Sequence, residues 1–277
     1  MTALGAAAPG GPAAGGLPLT IRLFGTEAGK GLRLMLARRG LLVSGIVSGG
    51  IVYFMVRFLI GGGHVTRAMV ALTLPALLAY EVAVKASLQG SGGIAEEVHG
   101  GTLEQSQLSP ARPTLLVSGR LAALGAEQLI AAAVLGAVFG LGYRVHYTTG
   151  PGVLVPVLLT LADALGYALL MTALTLRFAS IGAIVHVAGM AIMFFNGAYL
   201  PISWFPHGVQ VFTRFVPTAL GVQVMNTTLA GHGLGTSWAD GTLPWLIAHV
   251  AVITGLGWLT YTRTLRRARR EGGLSAR

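Results

Sequence analysis

Cysteine is absent from the 277 residues of this sequence, and charged side chains make up only 10% of it. The lack of cysteine excludes a disulfide framework, a thiolate metal site and a catalytic thiol. The charged fraction is less than half of the ~25% that is typical of soluble domains, whereas 53% of the residues are hydrophobic. The sequence therefore predicts an integral membrane protein.

Motifs that carry common enzyme chemistry are also missing. Neither H-E-x-x-H nor G-x-S-x-G occurs. The segment GTEAGKGL resembles a phosphate-binding loop, but Phe24 and Gly31 stand where that loop needs Gly and Ser or Thr. The seven histidines are scattered, and only His186 and His249 could be considered for a haem site. We therefore expect a chain that is not an enzyme by itself and binds no metal or cofactor of its own.

Long apolar runs recur at about the 20-residue length that a helix needs to cross a bilayer. They predict transmembrane helices at 40–60, 68–88, 115–143, 153–176, 181–200 and 243–262. The expected fold is thus all-α, with a six-span transmembrane domain at 19–262. A Gly/Ala/Pro-rich tail at 1–18 is expected to be disordered, and a basic cytoplasmic tail follows at 263–277.

The formal charge of +10 is distributed unevenly between the two predicted membrane faces. Of the 19 Lys and Arg residues, only Arg57, Arg67, Arg144 and Arg214 fall on the side opposite the termini. An excess of basic residues marks the cytoplasmic side, so both termini are predicted in the cytoplasm of a multi-pass cell-membrane protein. Attraction to anionic lipid headgroups explains this charge, and no nucleic-acid partner is needed.

Residues 19–39 carry Arg22, Lys30 and Arg33 on one side and apolar side chains on the other. This pattern favours an amphipathic helix that lies in the cytoplasmic interface before the first span. A plain linker is the alternative.

The polar interval at 92–110 is the longest one between two apolar blocks, and it contains Glu96, Glu97 and Glu104. We expect Gly92 and Gly93 to break the second span there. The rest of the interval would then form a short amphipathic cytoplasmic helix between spans 2 and 3, with its carboxylates in water.

A few polar residues fall inside the predicted spans. Glu81 and Lys85 are four positions apart and share one helix face, so they form either a neutralised pair or a conformational latch. Glu127 lies within span 3. Asp163 falls near mid-depth of span 4, where a carboxylate is either functional or a hydrogen-bonded packing residue. Arg57 is expected to extend to the headgroups.

The region after span 5, at 201–240, is rich in Pro, Trp and Phe. Aromatic side chains are common at the membrane–water interface, so a re-entrant hairpin or short interfacial helices are expected on the outer side. The residues proposed to close this side as an outer gate are Asn196, Tyr199, Leu200, Pro201, Phe205 and Pro206.

Two local runs resemble the ABC-2 type membrane permeases of ATP-binding cassette exporters. The run EEVHGGTLE at 96–104, followed by Ser109-Pro110, is similar to the family's E-x-G-T-L-E…S-P run between spans 2 and 3. Here an extra residue separates the acidic pair from the Gly-Thr-Leu-Glu core. The run NGAYLPI at 196–202, with Phe205-Pro206 and a later Val-Pro-Thr, is similar to the family's run after span 5.

The resemblance implies a transport subunit that works with a separate ATPase, which binds the ATP and Mg that this chain cannot bind. It implies a second permease subunit, identical or different, and surrounding lipid. The ATPase would contact the interfacial helix and the coupling segment, whose residues are Glu96, Glu97, His99, Gly101, Thr102, Leu103 and Glu104. The cargo of such a small permease would be a drug, an antibiotic or a lipid-like molecule, as in multidrug efflux and antibiotic resistance.

Other functions stay open at this point. A stand-alone secondary transporter or pore would need a charged relay, for which Arg57, Glu81, Glu127 and Asp163 lie at different depths. A membrane assembly or immunity factor would need no transport at all. Within the exporter hypothesis, a lipid-linked glycan is the alternative cargo.

Overall fold

The computed structural model describes residues 17–37, 39–100, 113–148, 150–178 and 181–270, and these are helical with no strand among them. Two short 3-10 helices lie at Pro151–Val153 and Ile202–Trp204. The α-helices are α1 Leu17–Ala37, α2 Arg39–Ile60, α3 Arg67–His99, α4 Pro113–Gly142, α5 Leu154–Arg177, α6 Gly182–Phe195, α7 His207–Thr213, α8 Ala219–Leu229, α9 Leu234–Ala239 and α10 Thr242–Arg270.

Five of these helices, α2, α3, α4, α5 and α10, are long and apolar enough to cross a membrane. Each overlaps one of the predicted spans 1 to 4 and 6, but α3 and α10 continue past the predicted ends at 88 and 262, to His99 and Arg270. The predicted span 5 at 181–200 is wrong in length, because α6 has 14 residues and ends at Phe195. At 1.5 Å per residue it is about 21 Å long, less than the ~30 Å hydrocarbon core. The chain turns at Gly197, whose φ of +97° ends the helix.

The helices alternate in direction, and this gives the molecule two sides. The tail side holds α1, the last turns of α3, the start of α4 and the end of α10. The loop side holds the connections at 61–66, 143–148 and 150–153 and the region at 196–241. The predicted basic tail at 263–277 begins on the tail side as a continuation of α10, which runs to Arg270.

The centre of the fold is α5, which packs against α3 on one side and α10 on the other. Gly166 of α5 permits the close approach of α10: a Cβ atom there would lie 2.5 Å from Oγ1 of Thr254 and 3.2 Å from its Cα. In contrast, α2 is peripheral, and only Tyr53 and Arg57 of that helix are buried. The surface of α2 is apolar, as contact with lipid or another subunit requires.

The helix α3 does not break at Gly92 and Gly93, contrary to the prediction. It continues because Ile94, which is 1% exposed, packs with Val117 and Leu169 in an apolar cluster that closes the tail side of the bundle. This packing outweighs the low helix propensity of two glycines. Glu96 and Glu97 therefore lie on the last turns of α3 and not on a separate helix. His99 is the last residue of α3, and the remaining predicted coupling residues, Gly101, Thr102, Leu103 and Glu104, lie outside the described residues.

Candidate functional site

A cleft of about 730 Å³ opens on the tail side between α1, α2, α3 and α4. We call it the tail-side cleft. Its polar lining is contributed by Lys30, Gln89, Glu96, Glu97, Arg120 and Glu127. The cleft thus brings together the predicted interfacial helix and the described part of the predicted coupling segment, although they are more than 60 positions apart in the sequence.

Side-chain contacts across the tail-side cleft join α3 to α4. Glu97 and Arg120 form an ion pair, with side chains that are 25% and 41% exposed. About two turns deeper, Nε2 of Gln89 donates a hydrogen bond to Oε1 of Glu127 at 2.9 Å, and Nε2 of Gln128 donates to Oε1 of Gln89 at 3.1 Å. Glu127 is therefore part of the polar wall of the cleft.

The helix α1 packs against α4, and its exposed basic residues lie along and beside the tail-side cleft. Gly31 is the contact point, since a Cβ atom there would lie 2.3 Å from the Cβ of Ala123. Arg22, Lys30 and Arg33 line one shallow groove along α1, of about 770 Å³. A row of cations is thus exposed next to the tail-side cleft.

The Glu81–Lys85 pair lies between α2 and α3. Its two side chains form an ion pair, and Nζ of Lys85 also donates to the carbonyl oxygen of Gly45 at 2.8 Å. Glu81 is 4% exposed, and a Cβ atom at Gly49 would come within 2.6 Å of its Oε1. The small residues of α2 therefore make room for a charge pair of α3.

Asp163 is 1% exposed and connects three elements. Its Oδ2 accepts a hydrogen bond from the backbone N–H of Thr218 at 2.6 Å, and its Oδ1 lies 2.8 Å from Nδ1 of His249 on α10. Thr218 precedes α8 with a φ of +69°, an uncommon value for a non-glycine residue. The carboxylate thereby stabilises the turn into α8 and holds it between α5 and α10.

Asn196 and Arg57 fix the turn after α6. Asn196 is fully buried, and its Nδ2 donates to the carbonyl oxygen of Ala76 at 3.0 Å and to Oγ1 of Thr218 at 3.2 Å. Arg57 donates to the carbonyl oxygens of Ala198, at 2.7 Å, and of Tyr199. With an exposure of 1%, Arg57 does not extend to the headgroups as predicted, because these buried carbonyls are its partners.

The family model of the ABC-2 family transporter proteins matches residues 46–265, which is more than half of the chain. This chain belongs to the ABC-2 transporter family. Among curated proteins, none matches it.

The family assignment identifies the chain as a multi-pass membrane permease and implies an ABC ATPase as its partner in general. The tail-side cleft, the Glu81–Lys85 pair and the Asp163 cluster are therefore parts of a transport component. In the described ranges of this permease, His, Asp and Glu do not gather in groups of three that could hold a metal ion.

Aromatic rings of the predicted outer gate pack around the loop-side end of α6. Phe205 lies 5.6 Å from Phe194 and 6.0 Å from Phe195, measured between ring centroids. Phe195 also contacts Phe212 at 5.3 Å. Pro206 starts α7, and Tyr199, Leu200 and Pro201 form the turn between these rings and α2. The region at 201–240 contains three short α-helices, of which α8 is buried against α3, α5 and α10.

The sequence did not predict which distant residues would form the hydrogen bonds of the buried polar groups. Pro75 has no N–H, so the carbonyl oxygen of Ala71 loses its helical partner, and the hydroxyl of Tyr147 donates to it at 2.9 Å. Burial raises the pKa of Tyr147, so this hydroxyl keeps its proton at neutral pH. The proline inside span 2 was the available signal, but it does not say which loop supplies the donor.

Proposed function

We propose that this permease is the membrane subunit of an ABC exporter, and that its ATPase partner binds at the tail-side cleft. The observation that carries the proposal is the convergence of Lys30 on α1, Glu96 and Glu97 on α3, and Arg120 on α4 around one opening. An open cleft lined by charges of both signs suits a soluble protein partner. The basic row on α1 beside it extends the same surface.

Force applied at the cleft has a direct route through the membrane. The helix α3 is a single element of 33 residues from the cleft to the loop side. Near its loop-side end, the carbonyl oxygen of Ala76 accepts the hydrogen bond of Asn196 in the proposed outer gate. Tilting of α3 by the ATPase would therefore move the turn that contains Tyr199 and Pro201. Such a coupling between two packed arrangements is typical of transport proteins.

In this proposal the tail side faces the cytosol, together with both termini. The exposed Arg22, Arg33, Arg263, Arg266 and Arg267 on that side agree with the positive-inside rule. ATP and Mg bind to the partner ATPase. A second permease subunit, identical or different, would cover the apolar surface of α2, where Leu41, Val47 and Leu59 are 71%, 52% and 74% exposed.

The proposed cargo is hydrophobic or amphipathic, a drug, an antibiotic or a lipid-like molecule that moves outward. A lipid-linked glycan is the other candidate. A stand-alone secondary transporter is less well supported, because Glu81, Glu127 and Asp163 have separate partners, namely Lys85, Gln89 and His249. These bonds do not form a relay through the membrane.

The test is co-reconstitution with a cassette ATPase encoded beside the permease. Glu96→Arg and Arg33→Glu should each weaken co-purification of the ATPase by about tenfold, which equals ~1.4 kcal/mol, and should reduce cargo-stimulated ATP hydrolysis. The matched control is Arg266→Glu, an equally exposed charge reversal on the tail side but outside the cleft. Transport by the permease without any ATPase, or equal loss in the control, would refute the proposal.

A further inference from the structure

A second cavity lies in the loop-side half of the bundle, between α3, α4, α5 and α8, with a volume of about 380 Å³. Leu74, Leu129, Val157 and Met225 each line it from a different helix, and Tyr147 closes its loop-side end. Its size lies within the ~300–1,000 Å³ range of small-molecule sites. The proposed ATPase contacts are on the other side of the molecule, so this cavity has no part in them.

Both side-chain hydroxyls among the described lining residues of this cavity donate their hydrogen bonds within the protein. Thr160 is one of its few polar lining residues, and its hydroxyl donates to the carbonyl oxygen of Pro156 at 2.6 Å. The hydroxyl of Tyr147 is bonded to the carbonyl oxygen of Ala71. Because water in a cavity needs two or more polar partners, the site suits hydrocarbon and not water or a sugar.

The cavity opens sideways, towards the surface of the bundle. Leu129 and Ala133 of α4 are among its lining residues and are themselves exposed, Leu129 by 41%. Nearby on α5, Leu154 and Leu158 are 63% and 61% exposed. Since α4 and α5 are long and apolar enough to cross a membrane, the opening would face the bilayer, and an acyl chain is the part of a lipid that suits it.

Basic residues lie at the loop-side end of the same cavity. Tyr147 follows His146, and NH2 of Arg67 donates to Nδ1 of His146 at 2.6 Å. Arg144 is exposed on the same turn, with a φ of +50°. Among the exposed side chains on the loop side of the described chain, Asp240 is the one acidic residue, and its carboxylate accepts hydrogen bonds from Thr242. Asp163 is buried and bonded to Thr218 and His249. Arg67 and Arg144 are therefore available to an anionic headgroup.

We infer that this cavity is a binding site for an anionic phospholipid, which places one acyl chain between α4 and α5 and its phosphate at Arg67 and Arg144. The apolar walls favour the acyl chain, and the two arginines favour a negatively charged headgroup. The inference does not depend on the ATPase or on the direction of transport. It adds a lipid site inside a single permease subunit.

Photolabelling of the full-length permease in vesicles tests whether an acyl chain binds in the cavity. The probes are phosphatidylglycerol and phosphatidylcholine with a diazirine near the end of one acyl chain. Phosphatidylglycerol should label the peptides of α3, α4 and α5 that line the cavity. Ala133→Trp, which fills the opening, should reduce this labelling by about tenfold. Ala137→Trp is the control, because Ala137 is equally exposed on α4 but does not line the cavity.

A second variant tests whether Arg67 and Arg144 bind the phosphate. Arg67→Gln combined with Arg144→Asn should remove the preference for phosphatidylglycerol over phosphatidylcholine, and asparagine tolerates the positive φ of position 144. Arg214→Gln, another exposed loop-side arginine, should keep the preference. Labelling that is unchanged by Ala133→Trp, or spread evenly over all lipid-facing helices, would refute the site. A preference that survives the double variant would refute the role of the arginines. Each variant is first shown to elute as a single folded species.

Discussion

On the loop side of this permease, Arg57, Asn196 and Asp163 are each at most 1% exposed, and each is hydrogen-bonded to the backbone of another element. On the tail side, the contacts between α3 and α4 include the half-exposed pair of Glu97 and Arg120, beside an open cleft of about 730 Å³. The contacts at the two ends of the bundle therefore differ in how much free energy is lost when they break.

The difference follows from the surroundings of each polar group. A buried donor or acceptor that loses its partner costs about 1–3 kcal/mol, whereas an exposed ion pair contributes about 0–1 kcal/mol. We therefore expect the tail-side ends of α3 and α4 to rearrange at low cost when the ATPase binds. The loop-side elements should move together, as one hydrogen-bonded unit.

Asp163→Ala should have the largest effect on stability. It leaves the N–H of Thr218 without an acceptor and removes the partner of His249, so we expect a loss of about 3 kcal/mol. Asp163→Asn keeps one acceptor oxygen and should lose less. Unfolding titrations with SDS measure both variants. If the two substitutions destabilise the permease equally, or neither does, the carboxylate does not hold α8 in place.

Asn196→Ala and Asn226→Ala form a matched pair of substitutions. Both amides donate to carbonyl oxygens of α3 on either side of Pro75, at Ala76 and at Leu72. Asn196 is fully buried and also bonds to Thr218 and to the N–H of Ala198, whereas Asn226 is partly exposed. We expect a loss of about 2 kcal/mol for Asn196→Ala and under about 1 kcal/mol for Asn226→Ala in the same titration.

Equal losses from the two asparagine variants would contradict the comparison of the two ends, since they would show that burial does not determine the strength of the loop-side bonds. A larger loss for Asn226→Ala would place the main anchor of α3 at Leu72 and not at the proposed outer gate.

Gly49→Ala tests the close contact of α2 with the charge pair of α3. The new Cβ atom would lie 2.6 Å from Oε1 of Glu81, so the pair must shift, and we expect a loss of about 1 kcal/mol. Gly40→Ala on the same helix meets no atom within 4 Å and should gain up to about 1 kcal/mol from the better helix propensity of alanine. The two variants should therefore change stability in opposite directions, and the same sign for both would show that Gly49 is not a contact point.

The sequence was informative where the signal is local. Apolar run length identified the five long spans, and the i, i+4 spacing of Glu81 and Lys85 placed them on one face. It failed where packing between distant segments decides the outcome. Gly92 and Gly93 continue a helix because Ile94 is covered by residues of α4 and α5. The short α6 ends early because Asn196 has buried partners on α3 and before α8.

The candidate site shows the same limit. Counting residues along span 4 marked Asp163 as deeply placed, but its partners Thr218 and His249 lie 55 and 86 positions away. No local pattern connects them. Arg57 was assigned to the headgroups because an arginine near a span end usually extends there. Only the folded turn after α6 supplies the carbonyl oxygens that keep it buried.

Arg120→Gln should have the smallest effect on stability, under about 1 kcal/mol, because its partner Glu97 is already partly in water. If the tail-side cleft receives the ATPase, the same variant should nevertheless lower cargo-stimulated ATP hydrolysis in the reconstituted complex by about tenfold, which equals ~1.4 kcal/mol.

The exchanged pair Glu97→Arg with Arg120→Glu keeps the ion pair and reverses its charges. Recovery of activity in this double variant would mean that the pair only joins α3 to α4. If ATP hydrolysis stays low in the double variant, the ATPase contacts the individual charges. If Arg120→Gln alone keeps full activity, the docking site lies away from this end of α4.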